Sequence, residues 1–147
     1  MPYKSKFNPK NPQKYIGNSA NIICRSLWER TFCKYLDENQ NILRWSSEEL
    51  VIPYVSPIDN KIHRYYPDFL FEVKKANIIE TLVVEIKPAK QTEEPTRGKK
   101  SKKTFLTETM QFQINKSKWE SAKKMCFANG WKFVILTEKD LFQGKNK

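Results

Sequence analysis

The chain has 147 residues, 39% of them hydrophobic and 13% aromatic, which suits one domain built on one core. Its 27 Lys+Arg against 16 Asp+Glu leave a net charge of +11, so a polyanion such as nucleic acid is the expected partner. No apolar run reaches the ~20 residues that span a bilayer, and three cysteines without C-x-x-C spacing beside a single His63 argue against a structural zinc site.

Residues 1–28 contain no acid but hold Lys4, Lys6, Lys10, Lys14 and Arg25, with Pro2, Pro9 and Pro12 discouraging regular structure. Residues 1–20 therefore read as a basic extended arm, able to lie along DNA or a neighbouring subunit, and residues 21–147 as the domain proper. A helix is expected over 24–38. At about 100° per residue, Trp28, Phe32, Cys33, Tyr35 and Leu36 gather on one side, while Arg30, Lys34, Asp37 and Glu38 take the other. Glu29 falls between Leu36 and Cys33 and is the misplaced charge. It either pairs with Arg25 one turn earlier or is a carboxylate delivered to a metal from a helix packed on a sheet.

Strands are expected over 50–55, 62–73 and 82–87, with a turn at Pro57-Ile58-Asp59-Asn60; residues 77–81 suit either a turn or the start of the next strand. His63 reads as a strand or turn residue. Within these strands lies the most informative pattern, Tyr66-Pro67-Asp68-Phe69 followed by Glu85-Ile86-Lys87. Strand side chains alternate, so Glu85 and Lys87 share one face while Ile86 is buried on the other. Both acids abut apolar runs, Phe69-Leu70-Phe71 and Leu82-Val83-Val84, where a charge is costly unless it binds something. A divalent cation such as Mg2+, with Mn2+ able to substitute, needs hard oxygen ligands and keeps waters that can attack phosphorus. Asp68 and Glu85 are the candidate ligands, and Lys87 the group that orients or deprotonates the water or offsets charge on the phosphate.

A second basic segment, 90–103 within a loop at about 89–103, carries Arg97, Lys99, Lys100, Lys102 and Lys103 around Gly98. It is either a clamp over DNA, with Lys90 meeting phosphate, or a solvated connection. Residues 104–113 are moderately helical, and Ser117-x-x-Glu120 reads as a capping box opening a helix with Trp119, Ala122, Met125 and Cys126 on one face and Gly130 as its stop. Lys118 reaches phosphate or packs. A strand over 131–136 and a short helix over 138–142 close the chain. This order implies an α/β sandwich with a mixed central β-sheet flanked by helices, the last strand parallel to 82–87. No recognition helix or aromatic reading surface stands out, so DNA contact without strong sequence specificity is expected.

Glu29, Tyr66-Pro67-Asp68-Phe69 and Glu85-Ile86-Lys87-Pro88 together resemble the PD-(D/E)xK nuclease superfamily in its helix-first, TnsA-like form. More closely, the chain resembles the head-completion proteins of T-even-like tailed bacteriophages. That resemblance runs through Arg25-Ser26-x-Trp28-Glu29, Val51-Ile52-Pro53-Tyr54, Arg64-Tyr65-Tyr66, Asn115-x-x-Lys118-Trp119 and Ile135-Leu136-Thr137-Glu138. It implies a restriction-endonuclease-like core and a metal-dependent endonuclease of late phage assembly. In it Glu29, Asp68, Glu85 and the Ile86 carbonyl hold one or two Mg2+ ions, Lys87 positions the water, and Arg25, Arg64, Lys90 and Lys118 face DNA. Portal or head proteins are the implied protein partners, with the host cytoplasm or the virion head as location and no membrane. A structural head-completion factor without turnover, or a subunit active only with a partner, are the alternatives.

Overall fold

A computed structural model describes residues 4–143. Its elements in chain order are β1 (Ser5–Phe7), a 3-10 turn (Pro12–Lys14), β2 (Ile22–Cys24), α1 (Leu27–Glu38), β3 (Ile42–Ser47), β4 (Ile52–Val55), β5 (Ile62–Tyr65), β6 (Phe69–Lys75), β7 (Ile78–Ile86), a 3-10 turn (Ala89–Thr92), α2 (Lys102–Asn129), β8 (Lys132–Leu136) and α3 (Glu138–Gln143). The central sheet has the order β3-β6-β7-β8. Its first three strands are antiparallel, and β8 joins β7 in parallel from Leu82↔Lys132 to Ile86↔Leu136. The return through α2 supplies the crossover that a parallel pair requires. One face buries Phe32, Cys33 and Leu36 of α1 against Phe69, Phe71, Val84 and Ile86. The other carries a smaller cluster in which Trp119 and Ala122 of α2 meet Tyr54, Tyr65, Phe133 and Ile135. The mixed sheet flanked by helices is thus as expected, and among the described residues no helix is long and apolar enough to cross a membrane.

Several elements differ from expectation for identifiable reasons. The single strand expected over 62–73 is broken at Pro67, which has no N–H for a ladder and restricts the backbone before it; β5 pairs with β4 in a separate hairpin, and only β6 enters the central sheet. Edge strand β3 was not foreseen, because Arg44 and the Ser46-Ser47 pair mask its pattern. Its Trp45 is fully buried, and Arg44 clasps Glu72 of β6 across the strands with bonds of 2.9 and 2.8 Å. Residues 77–81 turn out to begin a strand, since β7 starts at Ile78 after a turn in which Ala76 has φ 53°. The capping box at Ser117 is overridden. Nothing in 102–129 is Gly or Pro, and one 28-residue helix runs from its true cap, Ser101, whose Oγ accepts from the Thr104 N–H at 3.1 Å, to Gly130 in the left-handed region at φ 73°. Likewise α1 begins at Leu27, capped by Ser26 Oγ accepting from the Glu29 N–H at 3.1 Å, while Cys24 belongs to β2.

The opening segment is not a detached arm over its described residues. β1 pairs with β2, and Phe7 and Tyr15 enter the main core. Asp37, expected on the outer side of α1, is 1% exposed and accepts the N–H groups of Lys10 and Asn11 at 2.8 and 3.1 Å. Lys14 Nζ donates to the carbonyls of Leu36, Asp37 and Asn39 at 2.9 Å each, closing the C-terminal end of the helix, where a cation is favoured. Tyr35, expected inside, is half exposed. Asp37→Ala strands two donors in a part-buried joint and is expected to lower stability by about 2 kcal/mol, read as an earlier urea midpoint at unchanged slope.

Candidate active site

Four elements meet at one end of the sheet. The first turn of α1 presents Glu29, the end of β3 leads into Glu48, Asp68 precedes β6, and β7 ends in Glu85 and Ile86 with Lys87 following. The β6–β7 register sets Phe69 opposite Val84, which places Asp68 beside the end of β7. Asp68 Oδ2 accepts the Ile86 N–H at 2.7 Å, pinning the carboxylate across the two strands. Glu85 is buried and its Oε1 accepts the Tyr65 hydroxyl at 2.5 Å. Lys87 Nζ stands 3.8 Å from the other Glu85 oxygen, so acid and base do share one face, while Ile86 packs into the core on the other.

Glu29 is half-buried and faces this site, its Oε1 taking the Arg25 N–H at 3.2 Å. The Arg25 guanidinium, which sequence reasoning offered to Glu29 or to DNA, goes elsewhere: its Nε bonds both oxygens of Glu48 at 3.1 and 2.9 Å. Glu48 itself has φ 56°, a left-handed conformation uncommon for a residue with a side chain, and its N–H donates to the Asp68 carbonyl at 3.1 Å. Oxygens of Glu29, Glu48 and Asp68 all lie within 4.8 Å of one another, whereas Glu85, held by Tyr65, is not of that trio.

Burial pushes the Asp68 carboxyl well above its usual range, and the Glu85 and Glu29 charges push the same way. Burial also raises Glu29, reinforced by Glu48, and raises Glu85 against the lowering pull of the Tyr65 hydroxyl and of Lys87 and Lys118. Tyr65 is driven up by burial and by Glu85, which keeps it a neutral donor. Lys118 is pulled down by burial and by Lys87, so α2 delivers a second lysine to the same pocket, its Nζ over the Tyr54 and Tyr65 rings at 5.8 and 5.6 Å. Hard anionic oxygens crowded this closely are the donor set that suits a divalent cation, and the cluster fits one.

Of the remaining sequence candidates, Arg64 is exposed on β5 opposite Pro53, and Lys90 is exposed in the 3-10 turn that follows β7. His63 holds Asp59 at 2.8 Å in the β4–β5 turn. The basic segment is shorter than expected, because Lys102 and Lys103 already belong to α2.

A family model for the TnsA-like endonuclease N-terminal domain matches residues 39–138, a span that holds Glu48, Tyr65, Asp68, Glu85, Lys87 and Lys118. The chain belongs to the TnsA-like endonuclease family. It is also 37% identical over 145 residues to the head completion nuclease of Enterobacteria phage T4, covering 96% of this chain and 95% of that protein. In this TnsA-like domain Glu29 lies before the matched span, on a helix that the phage relative's match nevertheless covers.

Sequence reasoning missed two residues of the site. Tyr65 was noted only as part of Arg64-Tyr65-Tyr66, and Glu48 not at all. Tyr65→Phe removes the hydroxyl that holds Glu85, so the Glu85 carboxyl is expected to rise further and Mn2+ affinity to fall about tenfold or more. Calorimetric titration with Mn2+ reads this directly.

Proposed function

We propose that the protein is a Mg2+-dependent endodeoxyribonuclease acting in phage head completion, when a DNA-filled head is finished before the tail joins. The observation that carries this reading is the convergence of Asp68, Glu85 and Glu29 with Lys87 at one end of the sheet, in an arrangement that raises all three carboxyls. A scaffold has no use for mutually repelling acids, which destabilise it. A catalytic site has, because strain of this kind concentrates where function requires it.

Asp68, Glu85 and the Ile86 carbonyl, with Glu29 from α1, are the groups that would hold the cation. Bound there, Mg2+ supplies Lewis-acid stabilisation of phosphate charge and an acidified water. Lys87, whose Nζ stands 3.8 Å from Glu85, is the group that would orient the attacking water by donating to it and would offset charge developing on the phosphate. Lys118, over the Tyr54 and Tyr65 rings, adds a second positive charge toward the phosphate. Tyr65 holds Glu85 in place. DNA is the substrate class, gripped by its backbone, with Arg64, Lys90 and the basic segment before α2 as outer contacts. Portal or head proteins are the partners that head completion would supply, in the host cytoplasm or the virion head.

Incubation of the purified protein with supercoiled plasmid tests the reading. Nicked and linear products in Mg2+ or Mn2+, absent in EDTA, are the expected result. DNA bound but uncut would point to a structural head-completion factor, and cutting only with an added partner to a subunit of a larger nuclease.

A further inference from the structure

We infer that Glu48 is a further carboxylate for the divalent cation, and that Arg25 is the counter-ion which the cation displaces and which then turns to a DNA phosphate. The inference rests on the nuclease reading above and specifies how its site is loaded. Three observations lead to it. Glu48 offers an oxygen within 4.8 Å of oxygens from both Glu29 and Asp68, a tighter trio than any that includes Glu85. Its backbone is fixed beside Asp68: the left-handed φ of 56° just after β3 and the bond from its N–H to the Asp68 carbonyl tie it to the residue that precedes β6. A residue held in that region costs free energy that the surrounding fold must maintain, which is a recurring mark of functional positions.

The third observation is the charge that now neutralises Glu48. Arg25 binds it through Nε at 2.9 and 3.1 Å, and the Arg25 side chain is 56% exposed at the rim of the site. A half-exposed ion pair of this kind is worth little in itself, so a doubly charged ion with hard-oxygen preference outcompetes it. Once Glu48 is taken, the Arg25 fork is released at the rim of the site, where its planar donors match a phosphate. Loading the metal thereby exposes a substrate contact, and metal and DNA binding become cooperative.

The test is Mn2+ titration by calorimetry on the whole protein, with wild type, Asp68→Asn, Glu48→Gln and Arg25→Ala, each checked by thermal melting in EDTA. DNA affinity is measured alongside in Ca2+. The expected result is a loss of Mn2+ affinity of about tenfold or more in both Asp68→Asn and Glu48→Gln. In Arg25→Ala, Mn2+ affinity is expected to hold or tighten, while DNA affinity falls about tenfold in Ca2+ and is unchanged in EDTA. Glu48→Gln binding Mn2+ like wild type, with Asp68→Asn weakened, would overturn the inference and leave the nuclease reading intact. No Mn2+ binding by wild type would overturn both. Equal melting losses in Glu48→Gln and Arg25→Ala with metal and DNA affinities untouched would make the pair a structural staple at the start of α1 and also overturn it.

Discussion

Asp68→Ala and Lys87→Ala are each expected to reduce Mg2+-dependent plasmid nicking by about a hundredfold to a thousandfold, the usual loss when one preorganised group at a reacting phosphate is removed. Asp68 is the only carboxylate of the site that reaches both groups of partners: it lies in the trio with Glu29 and Glu48, and it is bonded to the Ile86 N–H between Glu85 and Lys87. Its loss therefore removes a cation ligand and unties β6 from the end of β7. Lys87 is a different case, since among the described residues the one ion pair of its ammonium is the 3.8 Å approach to Glu85. Lys87→Ala should melt like wild type and bind Mn2+ like wild type, yet fail to cut. Gel quantitation of nicked product gives the loss, and a drop below about tenfold for Lys87→Ala would mean that Lys118 can handle the water in its place.

Stability should move in the opposite direction to activity. In the unfolded chain Asp68, Glu29 and Glu85 titrate in the ordinary carboxylate range near 4; in the fold all three are raised. The folded protein therefore binds these protons more tightly than the unfolded chain does. Their contribution to stability is fully present below the ordinary carboxylate range and is lost as pH rises through the raised values. Without metal, stability from this site falls with rising pH, and an added divalent cation restores it most at alkaline pH. It follows that Asp68→Asn, inactive in cutting, should be more stable than wild type in EDTA at about pH 8, by about 0.5–2 kcal/mol, and that the gap should close as the pH is lowered toward the ordinary carboxylate range. Urea melts of the two proteins at both ends of that window decide it. A metal-free Asp68→Asn that is less stable than wild type at alkaline pH would show that the Ile86 bond outweighs the repulsion.

What could be read from the sequence was what short range encodes. Asp68, Glu85 and Lys87 were legible because two-residue alternation on a strand and an apolar run beside each acid are local signals. Glu29 was legible because a charge on the apolar side of an amphipathic helix violates the pattern around it. Glu48 was not, since Ser46-Ser47-Glu48-Glu49 has no period and its partners, Arg25 and Asp68, lie about twenty residues away on either side. Tyr65 was hidden for the same reason: its hydroxyl finds Glu85 twenty residues later only after Pro67 has diverted β5 out of the central sheet. The charge of the opening segment suggested an arm on DNA, and the structure instead turns Lys14 against the carbonyl end of α1, a contact that no composition reveals. Helix α2 erred the other way, as a valid local cap at Ser117 was overruled by an uninterrupted helical stretch and by packing of Trp119 and Ala122 on the sheet.

The most direct measurement is anomalous diffraction from crystals soaked in Mn2+. The account requires a peak bounded by carboxylate oxygens of Asp68 and its neighbours Glu29, Glu48 and Glu85, at about 2.0–2.2 Å from its ligands, with Lys87 facing it. Density for Mn2+ elsewhere on the surface and none among these carboxylates would contradict it.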